Sequence, residues 1–194
     1  MRETISKKLA PMFIDRWSTR AFSSEPIDDD EVLALFEAAR WSPSCFNEQP
    51  WCFAYARKQT DLEIFRSVLT DTNQVWAKSA PILVFVFSKR YFDHNGNPNR
   101  WAVFDTGAAW MALAMQAHQL GLQTHAMGGF DAEKALILAG LDEDEYEAVC
   151  AVAIGKPGDK NDLPDELQQR EIPSSRRRLD EIMFEGVVQD DNNI

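Results

Sequence analysis

Apolar positions along the chain fall into segments with distinct periods. Val32, Leu35, Phe36 and Ala39 recur at helical spacing behind the acidic run Asp28-Asp29-Asp30-Glu31. Carboxylates at a helix start suit the positive end of the dipole, so a helix is predicted from there to about Arg40. Trp51, Phe53 and Tyr55 alternate with smaller or polar residues, which predicts a strand over 51–57. A second helix is predicted over 61–70. Residues 82–87 (Ile-Leu-Val-Phe-Val-Phe) form an unbroken apolar run, the pattern of a strand buried on both faces.

Polar residues 89–99, with Asn95-Gly96 and Asn97-Pro98, predict a loop. Residues 101–120 predict a long helix stopped at Gly121. This helix is rich in Ala and Met and apolar on most sides, so it is expected to be central or shared with a partner. Short strands are predicted over 123–127 and 148–154, with Asp131 as N-cap of a helix between them. Alternating helices and strands imply an α/β or α+β domain. One domain is expected over 1–194, with residues from about 156 onward too poor in apolar side chains for a core of their own. That tail is read as an extended arm lying on this subunit or on a second one.

The 194 residues include 45% hydrophobic ones, among them 12 Phe and 6 Trp, enough for a substantial core. The net charge of −11 argues against a sequence-independent grip on nucleic acid, which needs a basic face. Cys45, Cys52 and Cys150 are too few, and wrongly spaced, for a disulfide scaffold or a metal site, so no metal is expected. No apolar run follows the charges of residues 1–8, and the run ending at Phe87 is too short to span a bilayer. The expectation is a cytoplasmic protein with no membrane or nucleic-acid partner.

Gly-x-Gly-x-x-Gly after the first strand, a P-loop and a Gly-x-Ser-x-Gly elbow are all missing. Any reactivity would then come from a bound cofactor. Four segments could hold one. Arg16-Trp17-Ser18-Thr19-Arg20 offers two guanidinium groups and a hydroxyl to a phosphate, though alone it reads more readily as an ordinary solvated basic patch. Trp41-Ser42-Pro43-Ser44-Cys45-Phe46-Asn47-Glu48-Gln49-Pro50-Trp51 crowds small polar groups into a loop held by prolines, which could face a heteroaromatic ring or simply feed a strand. Met127-Gly128-Gly129-Phe130-Asp131 lets backbone approach a ligand closely, or makes a tight turn. Ser174-Ser175-Arg176-Arg177-Arg178 is the densest positive cluster, and could complete a phosphate site or contact a partner.

In order and spacing these four segments resemble the nitroreductase-like family of FMN-dependent oxidoreductases, over roughly residues 14–184. The resemblance implies an α+β, three-layer α/β/α fold with a central mixed, mainly antiparallel sheet. It also implies a homodimer with FMN at the interface and a C-terminal arm exchanged between subunits. The implied activity is hydride transfer from NADH or NADPH to flavin, followed by reduction of a small-molecule acceptor such as a nitroaromatic or quinone. Arg16 and Ser18 are matched to the phosphate and ribityl chain, Trp17 beside them to the cofactor site, and Arg20 to flavin N1 and O2. Pro43, Ser44, Cys45 and Asn47 match the loop laid on the ring by the other subunit. Asn73 is matched to the pyrimidine edge, Gly128 and Gly129 to N5 and O4, and Arg176 and Arg178 to the phosphate. The flavin itself is the reactive centre, and no side chain is assigned a catalytic role. Cys45 stands where a hydroxyl is common, and the short 89–100 region implies an open pocket. A dedicated flavin-dependent dehydrogenase or dehalogenase, an FMN-binding protein without turnover, and a dimer that has lost its cofactor are the other readings.

Overall fold

The structure is a computed structural model that describes residues 4–186. The ends of the expected 1–194 domain and of the 156–194 arm therefore lie outside the described residues. Helix α1 (Met12–Asp15) is followed by α2 (Asp29–Arg40), which carries a full capping box. The Asp28 side chain accepts from the backbone N–H groups of Asp30 and Glu31, while the Glu31 side chain accepts from that of Asp28. Strands β1 (Trp51–Ala56), β2 (Ile82–Lys89), β3 (Gln123–Met127) and β4 (Tyr146–Gly155) form one sheet in the order β1-β2-β4-β3. All three pairings are antiparallel, with a bulge in β2 at Val86/Phe87. Helices α3 (Gln59–Val68), α4 (Asp71–Ala77), α5 (Ala102–Gln119), α6 (Ala132–Ala139) and α7 (Asp165–Gln168) complete the chain.

Alternation along β2 separates two cores. Leu83, Phe85 and Phe87 pack with Ala151 and Ala153 of β4 against Leu62, Phe65, Trp76 and Leu136, from α3, α4 and α6. Ile82, Val84 and Val86 pack with Val152 and Ile154 against Leu35, Ala109 and Leu113, from α2 and α5. Burial of both faces explains why β2 reads as a continuous apolar run. The result is the expected α/β/α sandwich, α+β in class; its sheet, expected to be mixed and mainly antiparallel, is antiparallel throughout among the described residues.

Two expectations are modified. First, α5 is not covered all round. Asp105 and Thr106 are buried in it, while Trp101, Val103, Phe104 and Met111 are exposed. Second, the tail does not leave the subunit at 156. Ser23 N–H donates to Lys156 O and Gly158 N–H to Ala21 O, and Leu163 and Glu171 are buried. Every described residue from 172 to 186 is exposed, so the exposed arm starts beyond Glu171. No helix among the described residues is long and apolar enough to cross a membrane.

Candidate cofactor site

The N-terminal cationic segment is tied down on two sides. Arg16 ends α1 and, with Trp17 and Ser18, is half-buried, while Thr19 is buried. His125, on edge strand β3, lies 2.8 Å through its Nδ1 from the Thr19 carbonyl oxygen. A carbonyl only accepts, so Nδ1 carries the proton and donates. Burial holds the His125 pKa below the usual 6.5, against the Thr19 hydrogen bond, and the charges of Arg20 and Arg16 lower it further. The ring also packs on Trp76 with centroids 4.5 Å apart. From the tail, Glu171 Oε1 accepts from the Arg20 N–H at 2.7 Å, the Ala21 N–H at 3.0 Å and the Thr19 hydroxyl. Glu171 follows a polar helix in a polar tail, so no periodic signal in the sequence marks it as a buried anchor.

The glycine turn meets Asn73 beside the same edge. Gly129 O accepts from Asn73 Nδ2 at 2.9 Å, Thr70 N–H at 3.0 Å and Thr70 Oγ1 at 3.1 Å. A side chain on Gly129 would place its Cβ 2.6 Å from Asn73 Nδ2 and 2.8 Å from Thr70 Oγ1, so both side chains would have to shift from where they now meet this turn. Gly128, by contrast, is exposed, with room around it. Because Asn73 spends an N–H on Gly129, its Oδ1 is left to accept from another donor, as a contact to a pyrimidine N–H demands.

The proline-held loop lies elsewhere. It runs into β1, the other edge of the sheet. Three strand spacings put that edge on the order of 14 Å from β3. Pro43 and Asn47 are exposed, and Ser44 and Cys45 are half-buried. The loop is nonetheless held. Ser44 Oγ accepts from Gln49 N–H at 2.9 Å, and buried Asp105 accepts from Cys45 N–H at 2.9 Å. Phe46, Asn47 and Gln49 adopt φ of 54°, 59° and 50°, a costly backbone that persists only where surroundings impose it. Burial pushes the thiols of Cys52 and Cys150 up, the latter to about 11, so neither is a poised thiolate.

Arg176 and Arg178 are exposed on the arm. Arg176 Nη1 donates to Ser174 Oγ at 3.0 Å and to Ser175 O at 2.9 Å, and Arg178 Nε to Asp180 Oδ1 at 2.9 Å. In one chain Arg16, Arg20, Asn73 and Gly129 thus lie by β3 or its end, the loop lies at the far edge, and residues 172–186 are exposed. Three surface clefts of about 340, 340 and 380 Å³ are lined by other residues than these four.

The chain is a three-layer α+β protein that carries a cationic segment, an amide and a glycine turn beside one sheet edge. Residues 14–72 and 54–156 match the model of the Nitroreductase family, and the chain belongs to that family. A solved structure described as an oxidoreductase containing FMN is 40% identical, with a TM-score of 0.92 over 97% of this chain and 96% of that one. A Streptomyces coelicolor protein provisionally named an NADH dehydrogenase/NAD(P)H nitroreductase is 28% identical over 174 residues, 76% of this chain and 82% of its own. The CLA biosynthesis enone reductase of Lactiplantibacillus plantarum is 25% identical over 192 residues, 80% and 88% of the two chains.

Proposed function

We propose that the β3 edge binds FMN and that the protein is an NAD(P)H-dependent FMN oxidoreductase reducing a flat, electron-poor acceptor such as a nitroaromatic or quinone. One observation carries the reading. Segments far apart in sequence, Arg16 to Arg20, Asn73 and Gly129, are fastened around β3 by His125–Thr19 and Asn73–Gly129 hydrogen bonds. Family membership and the FMN-containing structural relative support the choice of cofactor.

In this reading Arg16, Trp17 and Ser18 bind the phosphate and ribityl end, and Arg20 faces N1 and O2. A fixed positive charge there stabilises negative charge gathering on the ring. Asn73 Oδ1 accepts from the pyrimidine edge, and the Gly128–Gly129 backbone lies by N5 and O4. Bound FMN supplies hydride acceptance from NADH or NADPH and onward electron transfer to the acceptor.

The loop bearing Pro43, Ser44, Cys45 and Asn47, and the arm bearing Arg176 and Arg178, come from a second copy. Three features support a dimer: the loop and cradle occupy opposite sheet edges, α5 leaves Phe104 uncovered at 75% exposure, and the arm carries exposed Ile182, Met183 and Phe184. Phe46, 77% exposed on the strained loop, is an aromatic platform for a flat acceptor in the open pocket.

Purified protein is expected to be yellow, to release FMN on denaturation, and to bleach under argon with NADH or NADPH. A yellow protein that neither nucleotide bleaches would be a flavin binder without this activity. A colourless one that takes up no added FMN would sink the reading altogether.

A further inference from the structure

Glu171 is a buried acid with no part in the assignments above. Its residue is 8% exposed, and its Oε2 is buried with no hydrogen-bond partner, 3.8 Å from Arg20 Nη1. Burying a carboxylate is costly unless hydrogen bonds and an opposite charge offset it. Here Oε1 takes three donors from one short stretch: the Thr19 hydroxyl and the N–H groups of Arg20 and Ala21. The acid therefore dictates the backbone path of residues 19–21 and also faces the guanidinium that the path carries. His125 grips the same stretch through the Thr19 carbonyl, so the segment is clamped from β3 and from the tail.

Position in the chain adds a second link. Glu171 is the last buried residue before the exposed arm of residues 172–186. The arm thus begins where the cationic segment is anchored, and one side chain joins the two.

We infer that Glu171 is a positioning residue: it holds residues 19–21 so that Arg20 is presented to the flavin, and it does so from the root of the arm. This inference rests on the FMN reading above. It assigns Glu171 no contact with cofactor or substrate, so its effect must pass through Arg20.

That requirement sets the test. Full-length wild type, Arg20→Ala, Glu171→Ala and the double variant are stripped of FMN, and binding is titrated by quenching of flavin fluorescence. The two-electron potential of each reloaded protein is then measured. Each single change is expected to weaken FMN binding by about tenfold or more, as for loss of hydrogen bonds to a charged group. The double variant is expected to be no weaker than the weaker single variant, because residues acting as one unit are not additive. The Glu171→Ala potential should move in the negative direction, to that of Arg20→Ala. A merely structural acid would lower the melting temperature without that convergence. A smaller loss, additive losses, or a wild-type potential in Glu171→Ala overturns the positioning role. If Glu171→Ala does not fold, Thr19→Val removes one donor to Oε1 and is titrated against Arg20→Ala in its place, with the same outcomes. A wild type that binds no FMN overturns the cofactor reading and this inference together. A wild type that binds normally beside an unaffected Glu171→Ala overturns the inference alone.

Discussion

Single residues in this protein are placed by hydrogen bonds from backbone as much as by packing, and His125 is the clearest titratable case. Its folded pKa lies below the unfolded 6.5, chiefly because burial disfavours the charged ring. Folded chains therefore bind fewer protons at this position than unfolded ones once the pH falls below about 6.5. Stability is unaffected well above that value and is lost as the pH drops toward the folded pKa, with a slope of at most about 1.4 kcal/mol per unit. His125→Asn keeps a donor near the Nδ1 position and cannot titrate. Between pH 7 and 5 its melting temperature is expected to fall less than that of wild type. Equal slopes would show that His125 is not the responsible group.

Elements were legible in the sequence where burial is periodic. The apolar run of β2, the capped start of α2, the stop of α5 at Gly121 and the turn at Gly128-Gly129 all follow from local chemistry. What escaped is of another kind. Helix α4 is short, polar in its first turn, and set by the docking of Asn73 and Trp76. Asp105 and Glu171 are carboxylates buried because distant backbone N–H groups need an acceptor, and no pattern of period 2 or 3.6 encodes that. The tie between α5 and the proline-held loop is testable at this scale. Asp105→Ala deprives Cys45 N–H of its acceptor and is expected to cost about 1–3 kcal/mol, with faster protease cleavage in the 43–50 loop. Asp105→Asn retains an oxygen and should lose much less. Matching losses in the two variants would mean that the hydrogen bond is not what holds the loop.

Across the whole molecule, the sandwich closes its two cores within one chain but leaves an apolar face on α5, an exposed arm, and the two halves of the proposed pocket on opposite edges of a sheet. Phe104→Glu puts a charge on the uncovered face. Sedimentation is expected to show a shift from dimer to monomer, with flavin content falling in parallel. A stable dimer, or a monomer that keeps its FMN, would refute the shared pocket.

The separation of loop and cradle also has a genetic consequence. Under the proposed assembly each pocket takes Arg20 from one copy and Asn47 from the other. A mixed dimer of a chain damaged at Arg20 and a chain damaged in the loop would concentrate both lesions in one pocket and leave the second intact. Two alleles, each inactive alone, would then complement when expressed together, with half of the pockets in every mixed dimer restored.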